Sequence, residues 1–172
     1  RIVVAGATGN VGREVLAILA EREFPIEELA VVASSRSQGL DIEIGDTGRT
    51  AKCQNIDNFD WAGWDMAIFA IGSEATAIHA PKAAAAGCVV IDNSSLYRMD
   101  PDVPLMITDV NPEHAGLIRV QQAQRGWPGF IVANANCTAT HLTSALKPLH
   151  DAFGLERCSW SPCRPSRARA IR

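Results

Sequence analysis

Short apolar runs alternate with helical patterns over the first 90 residues of the chain. The runs Ile2–Ala5, Leu29–Ala33 and 66–71 are rich in apolar residues and end in glycine or polar segments, which predicts buried strands. Apolar residues at helical spacing over 11–19 and the alanine-rich stretch 74–86 predict two helices. Alternating strands and helices indicate an α/β fold, with a Rossmann-like, doubly wound and mainly parallel sheet.

The pattern is less regular in the rest of the chain. Residues 88–91 and 130–133 predict two more strands, and leucines and alanines at helical spacing predict a helix over 138–153. Residues 40–44 alternate in polarity, which predicts an exposed antiparallel hairpin. Residues 101–129 are rich in proline, glycine and polar residues, and we expect them to cross the surface between the nucleotide-binding part and the segment that follows.

These patterns divide the chain into three parts. We predict a dinucleotide-binding Rossmann domain at 1–133, followed at 134–157 by the truncated start of a catalytic α+β domain. Residues 158–172 are rich in arginine and lack acidic residues and apolar periodicity, so we expect a disordered or frameshifted tail. Because the first residue is not Met and the first strand follows it directly, we expect further residues before it.

Composition and charge narrow the classes of partner. A formal net charge of -3 gives no basic surface for nucleic acid or an anionic membrane, so we expect a small-molecule substrate. No apolar run approaches the ~18 residues that span a bilayer, and we expect a cytoplasmic protein. The five cysteines are odd in number and widely spread, and none forms a C-x-x-C pair, which argues against a zinc knuckle and against a disulfide framework.

The segment GATGNVG follows the first strand and opens the first helix. Glycines at its first, fourth and seventh positions allow a tight turn and close approach to a pyrophosphate, at which the helix directs its free N–H groups. The alternative is a glycine turn with a structural role only. The expected cofactor contacts in this segment are Gly6, Thr8, Gly9, Asn10, Val11 and Gly12.

Polar residues also follow the second and third strands. NAD-binding proteins carry an acidic residue after the second strand, whereas this chain has Ser34, Arg36 and Ser37. An arginine among hydroxyl groups suits a 2′-phosphate, so we expect NADP as the cofactor; the alternative is a solvated turn. Gly72, which follows the third strand, is also expected to contact the cofactor.

Cys137 lies between the strand 130–133 and the helix 138–153. A helix N-terminus favours a thiolate and stabilises an oxyanion, which is suitable for a nucleophile, although a single cysteine is more often a small buried apolar residue. His141 lies one helical turn after Cys137. We interpret it as structural, because both side chains would point along the helix surface.

Several segments together carry a family resemblance. In order and spacing, GATGNVG, the serine–arginine loop, IDNSSLYRMDPDVPL with a later VN, and IVANANCTAT followed by ALKPLHDAFGL resemble aspartate-semialdehyde dehydrogenase over residues 1–157. The resemblance implies NADP-dependent reductive dephosphorylation of aspartyl 4-phosphate to aspartate semialdehyde in amino-acid biosynthesis, through a thioester on Cys137. It also implies that Arg98 and Asn136 hold phosphate or substrate oxygen, and that the full-length protein is a homodimer.

The chain also departs from the family. Ala135 replaces the proline of Asn-Pro-Asn-Cys, and Thr108-Asp109 replaces the Pro-Glu that precedes Val-Asn. The family's substrate arginine, acid-base histidine and later glutamine have no match, so we expect this chain alone to be inactive. Two alternatives stay open: a non-catalytic nucleotide-binding fragment, and an acetylglutamyl-phosphate reductase-like enzyme, against which Asn136 and Thr138 argue.

Overall fold

The computed structural model describes residues 1–160, which form one central sheet with helices on both faces. The strands are β1 (Ile2–Ala5), β2 (Leu29–Ala33), β3 (Asp41–Glu43), β4 (Thr50–Asn55), β5 (Met66–Phe69), β6 (Val89–Asp92), β7 (Leu105–Met106) and β8 (Phe130–Asn134). The helices are α1 (Asn10–Glu21), α2 (Ser73–Ala85), α3 (Leu117–Arg125) and α4 (Cys137–Phe153). Short 3-10 helices lie at Ser35–Ser37, Ile56–Asn58 and Pro112–Gly116.

The strand order is β3-β4-β2-β1-β5-β6-β8-β7. All described pairings are parallel except that of β3 with β4. From β1 the chain first builds the sheet outward through β2 and then returns to place β5 on the other side of β1. The sheet therefore has its topological switch point between β1 and β5, the position at which doubly wound folds bind ligands. The predicted Rossmann-like, mainly parallel sheet is confirmed.

Two apolar cores lie on opposite faces of the sheet. Val4 and Val31 point toward α1 and pack with its buried Leu16. Val3 points to the other face, where the core includes the small residues Ala80 and Ala83 of α2. Successive residues of a strand point to opposite faces, so β1 is buried on both sides, which explains why its sequence is a continuous apolar run and not an alternating one.

Most predicted elements are present with shifts of one or two residues at their ends. β2 has the predicted bounds, and the helix predicted over 138–153 begins one residue earlier, at Cys137. Of the tail predicted from residue 158, the first three residues are exposed and belong to no helix or strand. The remainder of that predicted tail lies outside the described residues.

The predicted exposed hairpin around residues 40–44 is partly wrong. β3 and β4 do pair in antiparallel fashion, but β4 also pairs in parallel with β2 and so extends the main sheet. Ile42 and Cys53 are buried in the α1-side core. The polar residues of β3 are exposed, as the alternation predicts, but its apolar position faces the core because the strands continue the central sheet.

Residues 101–129, which the sequence predicts to cross the surface, also contain regular elements that the sequence pattern did not indicate. The segment contains β7 and α3, and α3 packs against β8. Gln121 of α3 is fully buried. Its amide oxygen accepts from Ile131 N (2.7 Å), and its Nε2 donates to the carbonyl oxygens of Ile131 (3.0 Å) and Asp102 (3.1 Å). The side chain thus provides hydrogen-bond partners for the backbone N–H and carbonyl groups of Ile131 in β8. The short strand β7 pairs only with Ala133 and Asn134 and does not reach Ile131.

No helix among residues 1–160 has the combination of length and apolar character that crossing a bilayer requires. Within the same residues, no group of three or more His, Cys, Asp or Glu side chains is arranged to hold a metal ion.

We expect Gln121→Ala to lower the free energy of unfolding by about 3 kcal/mol, because it leaves buried backbone groups of β8 without partners. Urea denaturation followed by circular dichroism measures this loss. Gln124→Ala is the matched control, since Gln124 is an exposed residue of the same helix. Equal midpoints for the two variants would contradict the assigned role of Gln121.

The buried position of His79 predicts that stability depends on pH. It is 3% exposed on α2, with Nε2 3.4 Å from Asp57 Oδ1, and its Nδ1 has no hydrogen-bond partner within residues 1–160. Burial lowers the pKa of His79, with a smaller contribution from Lys82, while Asp57 opposes the shift. The unfolded chain therefore binds a proton more readily, so this stability is complete above the unfolded pKa of about 6.5 and is lost as the pH falls below it.

We accordingly expect the free energy of unfolding to decrease from about pH 7.5 to about pH 5.5, a range above the titration of ordinary carboxylates. His79→Gln should flatten that dependence in urea titrations at a series of pH values. His114→Gln, at an exposed histidine, should keep the original slope. A steep decrease that persists in His79→Gln would assign the effect to another group.

Candidate functional site

The residues predicted to contact a cofactor lie after the carboxyl ends of three neighbouring parallel strands. The segment from Gly6 to Gly12 follows β1, Ser34 to Ser37 follow β2, and Gly72 lies three residues after the end of β5. Because β2, β1 and β5 are adjacent, these loops share one edge of the sheet, at its topological switch point.

The glycine segment makes a tight turn that side chains would obstruct. Gly6 has φ of +85°, and a Cβ at this position would overlap the carbonyl oxygen of Ala70. A Cβ at Gly12 would overlap the carbonyl oxygen of Gly6. Gly9, the N-cap of α1, is exposed, no side chain caps the helix, and its first turn contains no acidic residue. The free N–H groups of α1 are therefore available to an anion.

The loops beside the glycine segment are open to solvent. Ser34 precedes the 3-10 helix Ser35–Ser37, in which Arg36 is exposed and forms no ion pair with a carboxylate of residues 1–160. Gly72 is the N-cap of α2, and a Cβ there would meet no atom within 4 Å. This glycine is thus not required by the packing of the described residues.

A cavity of about 820 Å³ lies between α1 and α4, on the sheet face that α1 covers only in part. Its floor is apolar, and includes Val89 and Ile91 of β6 and Val132 of β8. Polar groups lie where the strands end. Of the residues predicted from sequence, the cavity lining includes Val11, Arg98, Asn136 and Cys137, whereas the other predicted cofactor contacts lie outside it.

Arg98 is held by two backbone carbonyl groups. Its Nε donates to the Asn134 oxygen (2.9 Å) and its Nη2 donates to the Asn93 oxygen (3.0 Å). The side chain is half-buried, and both partners are neutral. Of the five N–H groups of the guanidinium, three have no hydrogen-bond partner among residues 1–160.

Cys137 is the first residue of α4 and is exposed. Asn136 is the N-cap, and its side-chain oxygen accepts from Thr138 N (3.0 Å), which leaves its NH₂ group for a ligand. His141 lines the same cavity. Among residues 1–160, the only hydrogen-bonding contact of the Cys137 sulfur is with the Thr138 hydroxyl, at 3.9 Å. No hydrogen bond joins Cys137 to His141.

A second arginine stabilises the segment that carries Arg98. Arg125 pairs with Asp100 (3.0 Å) and Asp102, and its guanidinium lies over the rings of Tyr97 and Trp127. These carboxylates raise the pKa of Arg125, and the Arg125 guanidinium lowers the pKa of Asp102. Arg125 is therefore a structural ion-pair partner that the sequence reasoning did not identify.

Sequence reasoning also missed Asn93 and Asn134, whose side chains meet at the mouth of the cavity. Asn134 Nδ2 donates to Asn93 Oδ1 at 2.7 Å, although the two residues are 41 positions apart. Both line the cavity. The sequence did contain one indication of these residues. Each is an asparagine at or just after the end of a strand that is predicted to be buried.

Comparison with known proteins agrees with these features. The model of the family described as "Semialdehyde dehydrogenase, NAD binding domain" matches residues 1–118. Aspartate-semialdehyde dehydrogenase 2 of Vibrio cholerae is 44% identical over 156 residues, which are 91% of this chain and 43% of that protein. The enzyme of Aquifex aeolicus is 43% identical over 157 residues, 91% of this chain and 44% of its own. The chain thus spans less than half the length of these relatives.

The chain is also similar to solved structures of aspartate semialdehyde dehydrogenases. The crystal structure of aspartate semialdehyde dehydrogenase II from Vibrio cholerae complexed with ASA has a TM-score of 0.79 and 44% identity, over 90% of this chain and 47% of that one. The enzyme of Candida albicans with NADP has a TM-score of 0.70 and 28% identity, over the same shares. The resemblance stated from the motifs is confirmed: the chain belongs to the semialdehyde dehydrogenase family, with the family's NAD-binding domain at residues 1–118.

Proposed function

We propose that this chain provides the cofactor-binding part and the nucleophile of an NADP-dependent aspartate-semialdehyde dehydrogenase. The observation that carries the proposal is the single cavity that joins Val11 of the glycine segment to Arg98 and Cys137. The dinucleotide, the phosphoryl group of the substrate and its acyl group would then bind in the same cavity. The aspartate-semialdehyde dehydrogenases that match 91% of the chain support this choice of substrate.

The residues at the switch point fit a dinucleotide. The turn at Gly6 and Gly12 leaves no room for a Cβ, and the α1 N-terminus has no side-chain cap. Gly6, Thr8, Gly9, Asn10, Val11 and Gly12 would hold the pyrophosphate through backbone N–H groups and the Thr8 hydroxyl. Gly72 would allow close approach to the α2 N-terminus. When bound, NADPH supplies the two electrons that reduce the acyl group.

Cys137 would act as the nucleophile. Its thiolate attacks the acyl carbon of aspartyl phosphate, a C–S bond forms, and the C–O bond to phosphate breaks, so that inorganic phosphate leaves. After reduction of the thioester, the C–S bond breaks, the thiolate of Cys137 is restored and aspartate semialdehyde is released. The exposed position of Cys137 at the start of α4 supports this role, because free N–H groups there can stabilise the oxyanion.

Arg98 would bind the phosphoryl group, and Asn136 would donate its NH₂ group to a substrate oxygen. The three free N–H groups of Arg98 suit the oxygens of a phosphate. Asn136 is already fixed by its N-cap hydrogen bond to Thr138, so its amide is oriented before substrate arrives. His141 lies close enough to line the cavity, but we assign it no proton-transfer step.

Ser34, Arg36 and Ser37 would select NADP. The loop after β2 offers two hydroxyl groups and an exposed guanidinium without an ion-pair partner among residues 1–160. An acidic residue in this loop would repel a 2′-phosphate, and the loop contains none.

A second candidate function is nucleotide binding without turnover. It is favoured by one observation: α4, which begins with Cys137, buries none of its residues against the described chain. A nucleophile on a helix with so little packing is poorly fixed relative to its substrate. An activity assay of a hybrid that joins residues 1–157 to the remaining part of the Vibrio cholerae relative separates the two functions, since only the first requires turnover.

We expect the chain to bind NADP at least about tenfold more tightly than NAD, and Arg36→Ala to remove most of that difference, since a charge-assisted hydrogen bond to the 2′-phosphate is lost. Isothermal titration calorimetry with both nucleotides measures the ratio. Arg22→Ala, at an exposed arginine after α1, should leave the ratio unchanged. The same NADP preference in Arg36→Ala and in the parent would argue against the assignment.

The test of Cys137 uses a hybrid in which residues 1–157 precede the remaining part of the Vibrio cholerae relative. We expect this hybrid to reduce NADP in the presence of aspartate semialdehyde and phosphate, and Cys137→Ser to abolish that activity while NADP affinity is retained. Cys53→Ala, at a buried cysteine outside the cavity, should stay active. Substantial turnover by Cys137→Ser would exclude Cys137 as the nucleophile.

A further inference from the structure

Asn93 connects the ends of three adjacent strands. It follows the last residue of β6, and its Nδ2 donates to the Phe69 oxygen of β5 (2.9 Å). The backbone N–H of Asn93 donates to the same oxygen (3.0 Å). On its other side, Oδ1 accepts from Asn134 Nδ2 of β8 (2.7 Å). One half-buried side chain therefore fixes the edge of the sheet at the mouth of the cavity.

Asn93 and Asn134, whose side chains form this amide pair, also bind Arg98 through their backbone carbonyl groups. The guanidinium donates to the backbone oxygen of Asn134 through Nε and to that of Asn93 through Nη2. If the strand ends moved apart, one of these hydrogen bonds would break, and the guanidinium plane would rotate. The amide pair thus links the two residues whose backbone carbonyl groups orient Arg98.

The same pair fixes the start of the helix that carries Cys137. Cys137 follows the end of β8 by three residues, and α4 buries none of its residues on the described chain. The position of the sulfur therefore depends on the strand end more than on packing of its own helix. Arg98 and Cys137 both line the cavity. The asparagine pair includes the two carbonyl groups that hold Arg98 and the strand end that precedes Cys137.

We propose that Asn93, through its hydrogen bond with Asn134, is a positioning residue that aligns the Arg98 guanidinium with the Cys137 sulfur. The proposal rests on the proposed function in one respect, the role of Arg98 as the group that attracts an anion. Asn93 does not contact the reacting atoms. A purely structural role would instead stabilise the strand ends without affecting how an anion approaches Cys137.

The test measures alkylation of Cys137 in the 172-residue chain by iodoacetate, an anion, and by iodoacetamide, its neutral analogue. Mass spectrometry of the peptides separates Cys137 from the other cysteines. We expect Arg98→Met to lower the iodoacetate-to-iodoacetamide rate ratio, and Asn93→Ala to lower it by about fivefold, the effect of losing one hydrogen bond of typical strength. Asn134→Ala, which keeps the contact with Phe69, should lower it similarly.

Asn55→Ala is the matched control, because Asn55 also lies at a strand end and its side chain accepts from Asp57 N (3.1 Å), away from the cavity. This variant should lose stability, measured by urea denaturation, without a change in the ratio. A lowered ratio in Arg98→Met but parental ratios in Asn93→Ala and Asn134→Ala would overturn the inference and leave the proposed function intact. An unchanged ratio in Arg98→Met would overturn both the anion-binding role of Arg98 and this inference.

Discussion

The in-register parallel pairing of β5, β6 and β8 is the constraint on which the cavity depends. Phe69 pairs with Asp92, and Asp92 pairs with Ala133, so these three residues lie at the same level of the sheet. The next residue of each of the last two segments, Asn93 after β6 and Asn134 at the end of β8, must therefore lie side by side. A shift of one residue in any of these strands would reverse the direction of its side chains and separate the amide pair. The polar mouth of the cavity is thus a consequence of sheet register.

The fold was predictable from sequence wherever an element is buried by its own apolar residues. β1 and β2 are continuous apolar runs, and both have the predicted bounds. The segment 101–129 was not predictable, because α3 is held by the buried amide of Gln121 and not by an apolar face. Propensity and periodicity report local preferences, whereas that amide is satisfied by backbone groups ten and nineteen residues away.

The same distinction applies to the candidate site. The glycine segment and Cys137 could be proposed as site residues from the sequence because the pattern of each lies in adjacent residues, a turn that opens a helix or a thiol at a helix start. The pairing of Asn93 with Asn134 spans 41 positions and is set by sheet order, which no local pattern contains. Sequence therefore suggests candidate reactive groups, and the structure adds which side chains lie beside them.

The difference between the two arginines explains why one suits a ligand. Arg125 is neutralised by Asp100 and Asp102, so an anion would gain little from its charge. Arg98 is half-buried and bound only to neutral carbonyl groups, and no carboxylate of residues 1–160 pairs with it. A partly desolvated charge without a counter-charge is unfavourable, and an arriving phosphate would supply the missing one. The phosphoryl group of the proposed substrate would thus neutralise a charge that the described residues leave uncompensated, at an arginine whose two carbonyl partners belong to the hydrogen-bonded residues Asn93 and Asn134.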